Sequence, residues 1–191
     1  MILICHITFA QIINIKNAGR IPVAAGQIYK DLDNILDAYV GTWLYTDGKK
    51  SLKIVLIKKV DDYNGRYTED YLYGAYEYKE NGVILVSTLN DLTSNFTRQL
   101  DYSIWGRSVM KNINRPPCTQ CAPNELRLGL NLNDPISNIF RTCVVRNVST
   151  ATENKIMIDL FGAETVYYKE GDPEPNMTIS LPSGEYILIK I

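Results

Sequence analysis

Histidine is almost missing from this chain: the 191 residues hold one, His6, and it falls within the first ten. Ser-His-Asp or Cys-His nucleophile activation, His-ligated zinc or copper, and histidine proton shuttles all need an imidazole in the folded chain. If the first ten residues are removed as a leader, those classes go with them. Basic blocks are missing too. Lys and Arg number 20 against 21 Asp and Glu, for a net charge of −1, and the cations are scattered in ones and twos, so there is no electrostatic footprint for DNA or RNA. No apolar run approaches the roughly 18 residues of a membrane-spanning helix. Internal repeats and low-complexity tracts are absent. The length suits one domain that buries about two thirds of its unfolded-state surface and needs no metal or disulfide scaffold to fold.

The stretch 1–10 is apolar and closes on Thr8-Phe9-Ala10 before Gln11. Small residues at the third and last positions before a cut are what a signal peptidase accepts, so 1–10 reads as a signal peptide truncated of its basic start. The alternative is a buried N-terminal strand. A lipoprotein anchor does not fit, because Ile4 precedes Cys5 where that processing wants a small residue.

Residues 11–30 show no sustained period and contain Pro22, so an extended lead-in is expected before a single β-barrel domain over 31–191. Leu32, Ile35, Leu36 and Tyr39 recur at helical spacing and predict two or three turns that end at Gly41. From there the period becomes two. Thr42 to Thr46 and Ser51 to Val60 flank Asp47-Gly48, a hairpin signal, with Leu52, Ile54 and Leu56 on one face. A longer turn is expected at 61–65, then a tyrosine-rich strand from Arg66 to Lys79. Asn81-Gly82 leads into Val83 to Thr88, the polar segment 90–99 reads as loop, and Leu100 to Met110 carries Trp105. Pro116, Pro117 and Pro123 exclude a central strand over 111–124. Leu126, Leu128, Leu130 and Leu132 alternate with Glu125, Arg127, Gly129 and Asn131, the cleanest half-buried strand in the chain. Ile139 to Val148, Lys155 to Gly162 and Tyr186 to Ile191 follow, the last two joined through a polar turn at 171–175. About eight to ten short antiparallel strands predict an all-β barrel, with a β-sandwich as the alternative.

Tyr67, Glu69, Tyr71 and Tyr73 share one face of the tyrosine strand, with Tyr76 and Tyr78 on the other. Cross-strand aromatic pairing explains such a strand; a ligand cavity or a sugar-stacking platform uses the same residues. Cys118 and Cys121 have redox-motif spacing but lie among prolines before a strand rather than at a helix start. Zinc would need two more ligands, and only Cys143 remains, so no metal is expected. In an exported protein a disulfide is the default, and Cys118 to Cys121, Cys118 to Cys143 and Cys121 to Cys143 are all allowed. Cys143, in an apolar strand, is the choice for the free thiol. Paired acids can hydrolyse glycosides without histidine, with Glu69, Asp70 and Glu77 the nearest candidates, but no spacing singles out a pair. Asn95, Asn147 and Asn176 open glycosylation sequons.

Two resemblances add to this. Gly41-Thr42-Trp43 behind the acidic segment 31–40 resembles the opening of a lipocalin-type barrel. That resemblance implies that Trp43 plugs the closed end beneath a cation, for which Arg127, Arg141 and Arg146 are candidates, and that a small ligand enters the other end. Ala10-Gln11, the segment 39–43, Tyr76-Glu77-Tyr78, Asn81-Gly82 and the apolar C-terminal strand look like a family of small exported bacterial proteins of unknown function. It implies export and a β-barrel, and no catalytic residues.

The expected function is a non-enzymatic, secreted or periplasmic barrel for a small apolar or amphipathic ligand, without a cofactor. Trp43, Tyr67, Tyr71, Tyr73, Leu128 and Leu130 are the expected lining. The alternative is a protein-interaction module with a self-filled barrel and recognition loops. An acid- and tyrosine-based hydrolase comes third.

Overall fold

Period-two alternation runs through the chain from Gly41 onward, and the backbone follows it. The computed structural model describes residues 10–19, 23–114, 116–137, 139–161, 171 and 179–191. The expected signal peptide, His6, Cys5, most of the 171–175 turn and the Asn176 sequon lie outside them. Two short strands, β1 (Ile12–Asn14) and β2 (Ile28–Lys30), flank a one-turn helix α1 (Ile15–Ala18). Then come β3 (Gly41–Asp47), β4 (Lys50–Tyr63), β5 (Thr68–Glu80), β6 (Val83–Ser87), β7 (Ile104–Lys111), β8 (Leu126–Asp134), β9 (Ile139–Asn147), β10 (Lys155–Leu160) and β11 (Gly184–Lys190).

Eight of these strands close into an antiparallel barrel: β3, β4, β5, β7, β8, β9, β10 and β11, with β11 returning to β3. Closure removes the sheet edges that a sandwich would leave. β5 serves three partners along its other edge: Thr68 and Glu69 pair with β2, Leu72 to Gly74 with β7, and Glu77 to Glu80 with β6.

The inward positions read directly from the alternation. Leu52, Ile54 and Leu56 of β4, Leu128, Leu130 and Leu132 of β8, and Ile156, Ile158 and Leu160 of β10 all belong to one buried core. Fully burying each such side chain stabilises by about 1.5–3 kcal/mol. One barrel end is plugged by Leu36, Tyr39 and Trp43, all buried. The Trp43 indole N–H donates to the Tyr39 carbonyl at 2.8 Å, and burial pushes the Tyr39 hydroxyl up to about 12. At the other end Arg141, buried, donates to the carbonyls of Phe161 and Leu181 and to Ser183 Oγ.

Several expectations change. The predicted helix over 32–39 is a single 3-10 turn, Leu36–Tyr39. Asp31 takes the amides of Ile35 and Leu36 at 2.8 and 2.9 Å, and Asn34 adopts a left-handed φ of 53°. No longer helix can start through that residue, and Leu32 stays 59% exposed. The expected turn at 61–65 is shorter, because β4 continues to Tyr63 past an irregularity between Lys59 and Asp62. The extended lead-in is docked by its short strands: β1 lies parallel to β2, and β2 parallel to β5. The polar segment before β7 holds two 3-10 turns, Leu89–Thr93 and Gln99–Asp101, so that β7 starts at Ile104.

Candidate functional site

The barrel interior is full. The void among Leu52, Leu56, Leu130, Cys143 and Leu181 measures about 10 Å³, at or below the room one water needs. Tyr76, Tyr78, Tyr186 and Leu181 occupy the end where the lipocalin resemblance placed an entrance.

A larger space lies outside the barrel wall. β2 and β7 both pair with β5, with two residues of β5 between the pairings, and diverge from there. The fork between them is roofed by α1, whose Ile15 is buried and whose start is capped by the Asn14 side chain accepting from Lys16 N at 3.1 Å. The result is a cleft of about 300 Å³ lined by Ile15, Ala18, Val23, Tyr67, Glu69, Gln99, Trp105, Arg107, Ser108, Val109 and Asn131, among others. Gly106 lets β7 approach β8 here: its φ is +150°, and a Cβ would stand 3.1 Å from the Gly129 carbonyl oxygen.

Glu69 is the hub of the cleft, 2% exposed. It accepts from Gln99 Nε2 at 2.9 Å, from Asn64 Nδ2 at 3.2 Å and from Arg107 Nε in a short ion pair. The Arg107 guanidinium lies 4.2 Å above the Tyr29 ring and 5.8 Å from that of Tyr67, and the two rings meet edge to face at 5.3 Å. A planar cation held by a carboxylate and an aromatic face is fixed in one orientation. Trp105 adds a buried indole N–H with no partner among the described residues.

The six expected lining residues therefore divide. Trp43, Leu128 and Leu130 belong to the packed interior. Tyr67 lines the outer cleft. Tyr71 and Tyr73, on the outer face, join Tyr102 and Phe96 in an aromatic cluster, with Tyr73 and Tyr102 at 4.3 Å and Phe96 and Tyr102 at 5.0 Å. Tyr71 donates to Asp62 Oδ2 at 3.0 Å. The cation over Trp43 is Lys190, not one of the three arginines: Arg127 donates to the carbonyls of Lys111 and Asn114, Arg141 closes the far end, and Arg146 pairs with Glu125 at 2.7 Å. Arg107, Gln99 and Trp105 carried no sequence signal as a set. They lie on different elements, and only the fork brings them to Glu69.

Cys118 and Cys121 form a disulfide, and Cys143 is free and buried. The disulfide loop overhangs a smaller cleft of about 140 Å³ with Arg127, Arg146, Asp159 and Glu185. Asp159 faces Glu185 across β10 and β11, and burial, then the Glu185 charge, raises its carboxyl above the usual range. The acids named from sequence are committed elsewhere. Glu69 accepts from three donors, Asp70 accepts the amides of Asp31 and Asp61, and Glu77 pairs with Lys79. Among the described residues, no cluster of His, Cys, Asp and Glu is placed to hold a metal ion, and no helix is long and apolar enough to cross a membrane.

No curated protein and no solved structure matches the chain. One family does, over residues 1–191. This barrel, with its filled interior and forked outer wall, therefore belongs to the family of unknown function DUF6705.

Proposed function

We propose that the protein is a non-enzymatic, exported bacterial binding protein with a lipocalin-like barrel, used as a scaffold rather than a container, whose small amphipathic ligand sits in the outer cleft. The observation that carries this reading is the contrast in free space. About 300 Å³ is open beside Glu69 and Arg107, against about 10 Å³ inside the barrel, and ligand sites begin at about 300 Å³. The disulfide supports export to an oxidising compartment. The test is native mass spectrometry of the protein purified from its own host, beside Ser108→Trp, which narrows the mouth from an exposed position. A discrete mass excess in the wild type, lost on denaturation and absent from the variant, is expected. A bare polypeptide mass in the wild type, or an excess that survives in the variant, overturns the placement.

A second reading, the interaction module, has its own observation. β6 pairs only with β5 among the described residues, and Val83, Ile84 and Leu85 on it are 60, 53 and 42% exposed. An unpaired apolar edge accepts another strand, and self-association that Ile84→Lys abolishes would favour this reading.

A further inference from the structure

We infer that the outer cleft takes its ligand by a carboxylate, gripped by the terminal nitrogens of Arg107 beside the Trp105 ring; the inference rests on the proposed binding reading and names the chemical class it left open. Within the cleft Glu69 already accepts from three donors. Arg107 uses only Nε, leaving both terminal nitrogens without a hydrogen-bond partner among the described residues, and Trp105 lines the same cleft. Arg107 lines the cleft with its side chain 16% exposed, so the acceptor for these nitrogens comes from solvent or from a ligand. Two terminal nitrogens in a rigid plane match the two oxygens of a carboxylate, and the plane is already oriented by Tyr29, Tyr67 and Glu69.

Charge favours an anion over a neutral acceptor. A second cavity of about 90 Å³ shares Gly19 and Val109 with the cleft and adds Lys16 and Lys111. Glu69 offsets Arg107, and Asp33 offsets Lys16 at 3.1 Å. The Lys111 ammonium has no ion-pair partner among the described residues, which leaves one positive charge for a monoanion to balance. Ile15, Ala18, Val23 and Val109 supply the apolar wall for the rest of the molecule.

The chain has two tryptophans, so an amide correlation spectrum shows two indole N–H signals, and Trp43, bonded to the Tyr39 carbonyl, is an internal control. Titration with octanoate is expected to move the Trp105 signal to saturation, because the ring lines the cleft, while the Trp43 signal stays. Equimolar 1-octanol is expected to leave both in place. Arg107→Lys keeps a cation for Glu69 but loses the planar fork, and is expected to weaken octanoate at least about tenfold with the Trp43 signal unmoved. If 1-octanol saturates the Trp105 signal as well as octanoate does, the cleft is the seat and the carboxylate assignment fails. If neither moves it, the cleft reading fails with it. Undiminished octanoate binding by Arg107→Lys overturns the role given to the guanidinium.

Discussion

Lys190 stands opposite Trp43 in the pairing of β11 with β3 and holds its ammonium nitrogen 5.3 Å from the centre of the indole. Gly41 makes room for the lysine stem: a Cβ there would lie 2.5 Å from Lys190 Cε, and the Gly41 φ is +137°. The Gly-x-Trp motif is thus half of a unit completed by the last strand.

The unit predicts graded losses. Lys190→Met removes the cation but keeps the stem, and is expected to cost about 0.5–1 kcal/mol in urea unfolding. Gly41→Ala combines a clash with a disfavoured φ and is expected to cost more, about 1–3 kcal/mol. Trp43→Ala should cost about 3–5 kcal/mol. A Gly41→Ala loss that vanishes in the Lys190→Gly background would assign it to the clash alone.

Interior and cleft are separable. Leu130→Ala opens a cavity in a filled core and is expected to destabilise by about 2–5 kcal/mol, while leaving octanoate affinity within about twofold. Ser108→Trp is expected to do the reverse. Loss of binding in Leu130→Ala at temperatures where it remains folded would return the ligand to the barrel interior.

Two carboxylates predict opposite pH behaviour. Burial alone would raise Asp70, but the amides of Asp31 and Asp61 and the Lys30 ammonium outweigh it and hold the carboxyl below its ordinary 3.8. Its contribution is therefore present above about pH 4 and lost as the pH falls through the lowered value. Asp70→Asn should lower stability at pH 7 and differ little from wild type in strong acid. Asp159 is raised, first by burial and then by Glu185. Ionising it costs stability as the pH rises from 3.8, so Asp159→Asn should be more stable than wild type at pH 7 and equal to it well below that value. Urea midpoints across pH 2–8 check both signs.

Cys143 is expected to be inert. It is buried, and desolvation pushes its thiol up to about 12, so thiol reagents should modify it only on unfolding. Cys118→Ser with Cys121→Ser opens a short loop and should cost no more than about 2 kcal/mol by loop entropy. Rapid labelling of Cys143 in the native protein would contradict the packed interior.

The barrel was legible where a single face decides the strand. The Leu126 to Leu132 alternation, the Leu52 to Leu56 face and the hairpins at Asp47-Gly48 and Asn81-Gly82 appear in the structure with strand ends shifted by up to three residues. The 3-10 turn at Leu36 was hidden because its helical spacing is overridden by one side chain, Asp31. β1 and β2 span three residues each, too few to show a period. The cleft was hidden for another reason. Tyr67 was legible as an aromatic, but Glu69 meets Gln99 and Arg107 only because β5 changes partner along its edge, which is a property of topology and not of any local pattern.

The join between β3 and β11 has a consequence for the order of events in the cell. It pairs Trp43 and Leu44 with Lys190 and Ile189, so a ribosome releases one partner long before the other. Until residues 184–191 emerge, β3 offers a bare edge and Trp43 lacks its lid, even though β4 to β10 are already available to pair. The ring therefore cannot close before the last of its eight strands is free, and an exposed edge in that interval is the kind of feature a holding chaperone recognises.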